Sequence, residues 1–340
     1  MRAIALVIFL AFLATMPATA AVDGSTPAGN AVALIKAYRD RPQPAGVPGL
    51  VKELAAAGAF QEPEAAGLYL GFVAGVLNAN PGRAEELVAS MASVPVADQW
   101  IVIKAIAYSG LPDWRSVMTG SRHHFPSRAT MIEAYLEGKL PSFDEYRMEP
   151  DRPPFLRRAA RAMTFRKPPD ELRLEPSPAL LDTFWGLYFA TGSTEPLARI
   201  AELLRWSTDG NDLANLSIGS AAKYSLALNA SRDQVLLGDV KAVRASADPK
   251  VAPILDEVIF AAETSETGRL REAAAAAIDE LRQKGPAYRR KVAWWGRAGE
   301  GAIALGCVVA AVTGQVQLGI PCVIGGAATS AALKYFATGG

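Results

Sequence analysis

Apolar residues recur along this chain at intervals of three and four, and the runs that carry the pattern are cut by Pro, Gly, Asn and Asp. That spacing gives an α-helix one apolar face, whereas the two-residue alternation of a half-buried strand is scarce. The pattern predicts helices over 30–40, 47–58, 63–79, 83–92, 96–109 and 127–139. After a gap it predicts more over 178–191, 195–206, 212–229, 233–246, 249–263 and 268–284. The gap holds Pro150, Pro153, Pro154, Pro168, Pro169, Pro176 and Pro178. Proline fixes φ and lacks an amide hydrogen, so this stretch cannot be one helix. It reads as a semi-rigid connector over 149–178, with room for a short helix at 154–166. The expected fold class is all-α.

The halves on either side of the connector, 21–148 and 179–285, resemble one another. Tyr69-Leu70-Gly71-Phe72-Val73-Ala74 is followed by Pro81, and Phe184-Trp185-Gly186-Leu187-Tyr188-Phe189-Ala190 by Pro196, each proline ten residues after its glycine. An amphipathic helix follows in each half, and then another that carries Lys104 or Lys223. The unit is about 45 residues of paired helices, in the range of HEAT-like and armadillo-like arrays. One helix pair cannot bury its apolar face alone, and stacked neighbours extend the core. The expected architecture is an irregular HEAT-like stack of antiparallel helix pairs, completed by a C-terminal apolar helical hairpin.

That hairpin is read from Gly301 to Leu333, which contain no charged residue. Two apolar blocks flank Gly314-Gln315-Val316-Gln317. Each is shorter than the roughly 20 residues a bilayer span needs, and a turn between them fits better than one long helix. Cys307 and Cys322 stand on opposite arms. A disulfide between them would contribute about 3 kcal/mol by closing the loop; the alternative is two buried thiols. Just upstream, within 286–340, come Arg289, Arg290, Lys291, Trp294, Trp295 and Arg297. Basic residues beside paired tryptophans suit a membrane interface or an anionic head group. They suit equally a helix with a solvated basic edge and a core-facing pair of rings.

Residues 1–20 read as a secretory signal peptide: Arg2, an apolar run from Ala3 to Met16, then Pro17 and Ala18-Thr19-Ala20. The expected protein is exported, periplasmic or secreted, with membrane association as the further option. Its net charge is only +1. A balanced chain lacks the basic footprint of a general nucleic-acid binder.

Chemistry is thinly signalled. The chain has no G-x-S-x-G, phosphate-binding glycine loop or H-E-x-x-H. His123 and His124 are adjacent, which is poor spacing for ligands on one helix face. Ser220-Ala221-Ala222-Lys223 matches S-x-x-K, but the companion S-D-N and K-T-G are missing. Arg157, Arg158, Arg161, Arg166 and Lys167 form a basic stretch within the connector, flanked by acids. It reads as an internally salt-bridged helix or a surface for an anionic partner. No catalytic residue, cofactor or metal site is expected. The expected role is binding or scaffolding in the cell envelope, with a protein partner. The alternatives are a membrane-associating protein using its Gly/Ala-rich hairpin and an envelope hydrolase.

Overall fold

The computed structural model describes residues 27–143, 177–208 and 213–264, the surroundings of side chains 27–29, 213 and 214 excepted. Every regular element among these residues is helical. The first seven helices are α1 (Pro27–Tyr38), α2 (Val47–Ala56), α3 (Gly67–Ala79), α4 (Ala84–Ser90), α5 (Trp100–Tyr108), α6 (Trp114–Gly120) and α7 (Ala129–Leu136). After residue 177 come α8 (Pro178–Thr191), α9 (Thr194–Leu203), α10 (Leu213–Ala230), α11 (Gln234–Ala245) and α12 (Ala252–Glu263). Within the described residues the predicted helices are present, with α6 as an addition that periodicity does not show; the helices predicted over 154–166 and 268–284 lie outside the described residues. Trp114, Val117 and Met118 are buried at the i, i+3, i+4 positions of that helix, but seven residues hold too few repeats of the pattern to stand out.

Two helices form the centre. Gly67 to Leu77 of α3 and Leu180 to Ala190 of α8 are buried without a break. Such helices lack the polar stripe of a surface helix because neighbours cover every side. Local chemistry sets the limits of α8. The Ser177 hydroxyl accepts from the Leu180 amide at 3.2 Å, Pro178 occupies the first turn, and Gly192, at φ +65°, donates its N–H to the Tyr188 carbonyl at 2.7 Å. These are the side-chain N-cap and the left-handed glycine stop that sequence reading looks for.

The two central helices run parallel: Gly67 lies beside Ala179 and Asp182, Gly71 beside Thr183, and Gly75 beside Leu187 and Ala190. Backbones touch along this seam. A methyl group placed on Gly71 would overlap the Thr183 carbonyl oxygen, and one on Gly186 would overlap the Leu68 carbonyl oxygen. One on Gly75 would sit 2.6 Å from the Ala190 Cβ. The contacts are reciprocal. Gly71 and Gly186 occupy matched places in the two similar sequences, as do Leu68 and Thr183, so each glycine faces the counterpart of the residue facing the other. That is the geometry of an isologous, two-fold contact, here made within one chain.

The outer helices repeat the same order of neighbours. In the first run, α3 packs on α4 and α5, α4 on α6, α5 on α6 and α7, and α6 on α7. In the second, α8 packs on α9 and α10, α9 on α11, α10 on α11 and α12, and α11 on α12. One apolar cluster extends through both runs, from Ala31 to Ala262.

Candidate functional site

The seam ends in a cleft. Where α3, α5 and α8 finish and α9 begins, a cavity of about 390 Å³ is lined from one side by Asn78, Ser109, Gly110 and Phe143. Leu187, Thr191, Ser193, Glu195, Pro196 and Arg199 line the other. Its polar side chains are held in place. Asn78 Nδ2 donates to the Ser109 carbonyl at 2.8 Å, and Ser109 Oγ donates to the Ile106 carbonyl at 2.8 Å. Thr191 Oγ1 donates to the Leu187 carbonyl at 2.8 Å and accepts from the Ser193 amide at 3.1 Å. Ser193 Oγ caps α9 by accepting from the Glu195 amide, and Arg199 Nε pairs with Glu195 Oε1 at 2.8 Å. Helix ends thus build the walls, and the volume falls in the range of small-molecule sites. Among the described residues, the ionisable groups in the lining are one carboxylate and one guanidinium. That set can orient a polar ligand, and among the described residues of the lining no nucleophile is paired with a base.

A second polar cluster ties α1 across the seam. Arg39, just past α1, donates through Nη1 to Tyr188 Oη and through Nη2 to Asp233 Oδ2 at 2.7 Å. Its guanidinium also lies 5.3 Å from the centre of the Tyr188 ring. Tyr188 Oη donates onward to Asp239 Oδ2 at 2.9 Å. Burial pushes the Asp233 carboxyl up, but the Leu236 amide, the Arg39 guanidinium and the Val235 amide outweigh it and hold it below the usual carboxylate range. Burial, reinforced by Arg232 and opposed by Asp233, lowers the Lys36 ammonium to about 8. The network joins side chains 149 and 194 positions apart in sequence. Periodicity carries no signal for pairings between residues so far apart in sequence.

A third group lies inside the seam. Asp182 of α8 is 2 % exposed, and its Oδ2 has no hydrogen-bond partner among the described residues. Burial pushes its carboxyl up to about 8. Tyr69 of α3 feels that carboxylate, and burial together with Asp182 raises its hydroxyl to about 12. A lone acid inside the apolar run Leu180-Leu181-Asp182-Thr183-Phe184 was the signal that could have found it.

The described residues separate the weaker sequence candidates. His123 and His124 lie between α6 and α7 with ring centres 3.8 Å apart. Of the acids near them in sequence, Glu133 pairs with Arg122 at 2.9 Å, and Asp113 precedes α6 without making a side-chain cap. No group of three metal-ligating side chains occurs among the described residues. Ser220 is buried on α10, and Lys223 Nζ pairs with Glu257 Oε2 of α12 at 2.5 Å. Lys104, its counterpart in the first half, lies 5.2 Å from the centre of the Tyr108 ring and is lowered by burial against the opposing effect of Glu64. Outside the described residues lie the signal segment 1–20, the connector residues Arg157, Arg158, Arg161, Arg166 and Lys167, and the cluster Arg289, Arg290, Lys291, Trp294, Trp295 and Arg297. Cys307, Cys322 and the predicted hairpin lie outside them too. Among the described residues no helix is long and apolar enough to cross a membrane. Compared with known proteins, the chain matches no family model, no curated protein and no solved structure.

Proposed function

We propose that this chain is an exported α-helical binding or scaffold protein of the cell envelope, organised as an irregular HEAT-like stack of helix pairs. The observation that carries the reading is the shared order of neighbours in α3–α7 and α8–α12, together with a cleft where the two runs meet. Stacked helix pairs present extended surfaces to partners, and junctions between units are preferred places for ligand sites. Supporting it further, Lys223 and the Arg39–Tyr188 cluster make contacts that join helices of the chain to one another. The analogy with helical arrays is one of fold, so the cleft residues bear the functional weight.

The test is site-specific photocrosslinking in the envelope. A photoreactive residue replaces Asn78, Ser193 or Arg199 in the cleft, or the exposed Val96 or Phe260 elsewhere. A discrete adduct from the cleft positions alone supports the proposal. Equal adducts from the control positions, or none from any, overturn it. Alkaline carbonate extraction with and without residues 301–337 addresses the alternative role at a membrane. Retention of the full chain in the pellet, with release of a folded truncated chain, would place the function at the bilayer.

A further inference from the structure

We propose that Asp182 is a proton-operated lock on the seam between α3 and α8: carried as the neutral acid it lets the two helices meet backbone to backbone, and its ionisation weakens their contact. The inference rests on the seam itself and goes beyond the binding role proposed above.

The position is unusual for an acid. Asp182 stands four residues before Gly186, as Gly67 stands four before Gly71, so it occupies on α8 the place that glycine holds on α3. The Asp182 Cβ lies 3.0 Å from where a Gly67 methyl would be. The missing side chain on α3 therefore makes the space for the carboxyl on α8. Nearby, a methyl on Gly67 would overlap the Ala179 carbonyl oxygen, so little room remains for the seam to adjust around a charge. A carboxylate removed from water without a compensating partner is strongly disfavoured, and the group takes up a proton instead.

Among the described residues no cation replaces that proton. Among the elements packed on α8, α3 offers Tyr69, whose neutral hydroxyl faces Asp182. The turn Pro63–Ala65 carries Glu64, whose charge acts on Lys104. From α1 and the residue after it come Lys36 and Arg39, held among Tyr188, Arg232 and Asp233. From α9 come Glu195, Arg199 and Glu202, which act on one another, and from α10 comes Lys223, paired with Glu257. Burial is the cause of the Asp182 shift. The cleft lies about two and a half turns further along the same helix, roughly 13 Å away by helical rise, so weakening the seam would act on the cleft walls as well.

The experiment is a pH titration of the full chain labelled with carbon-13 at the aspartate carboxyls, beside Asp182→Asn and with urea midpoints for both. Expected is one carboxyl resonance that stays protonated through neutral pH and titrates near pH 8, missing from Asp182→Asn. The wild-type urea midpoint should fall between pH 5 and pH 9, with the Asp182-dependent part of that fall missing from the variant. The proposal is overturned if every aspartate has titrated by pH 6, or if the two proteins lose stability in parallel. Should Asp182→Asn fail to fold, Asp182→Ser replaces it, and the wild-type resonance decides by itself.

Discussion

The run α3–α7 and the run α8–α12 reach the same order of neighbours by different local means. In the first, α3, α4, α5, α6 and α7 all begin without a side-chain cap. Instead, 3-10 turns starting at Pro63, Pro81, Val96 and Pro126 lead into α3, α4, α5 and α7. In the second, Ser177, Ser193 and Asp233 cap α8, α9 and α11 with side-chain oxygens. A proline-led turn and a capping side chain both deal with the unpaired amides of a first turn. The comparison teaches that the manner of starting a helix is exchangeable here, whereas the matched glycines of the seam are not.

The largest effect should come from breaking the matched pair. Gly71→Val and Gly186→Val each force a branched side chain into a carbonyl of the facing helix. Each should cost about 3 kcal/mol or more, and the two losses should be similar in urea denaturation. A large disparity would show that the places are not equivalent.

Next in size is the pH dependence that distinguishes Asp182 from its counterpart Gly67. The folded value of about 8 lies above the unfolded value of about 3.9. Protonation therefore contributes fully below about pH 4, and that stability is lost as pH rises through about 8. Asp182→Asn should remove this dependence, as read from urea midpoints across the range.

The difference in helix starts gives a smaller contrast. Asp233→Ala removes oxygens that accept from the Val235 and Leu236 amides, each at 3.0 Å, and a partner of Arg39. It should cost about 2 kcal/mol. Asp113→Ala, before α6, removes no side-chain cap and should stay within about 0.5 kcal/mol. Equal losses by thermal denaturation would erase the distinction. A modest gain is expected at the other end of the scale: Gly238→Ala on α11 meets nothing within 4 Å and should stabilise by roughly 0.5–1 kcal/mol. A loss there would mean that the outer face of α11 is packed against something.

Much of the helical framework was legible beforehand. The predicted limits of α8 coincide with Pro178–Thr191 because a serine, a proline and a glycine mark them. The likeness between the segments around Gly71 and Gly186 was also visible, but their contact was not, since residue spacing says nothing about which helices meet. Helix α6 escaped because it is short, and the Arg39–Tyr188–Asp239 chain because its members are distant in sequence. Of the candidate site, the glycines and prolines at helix ends could be read in advance, whereas the cleft they enclose could not.

By itself the sequence determined that the chain is helical, where most helices begin and end, and which faces are apolar, because these follow from local backbone preferences and a 3.6-residue period. Only the tertiary structure decided that α3 and α8 lie side by side, that an aspartate is buried between them and that a cleft opens at their ends. Those features depend on backbone approach and desolvation between segments more than 100 residues apart, and burial changes the chemistry of a group whose sequence neighbours leave it unmarked.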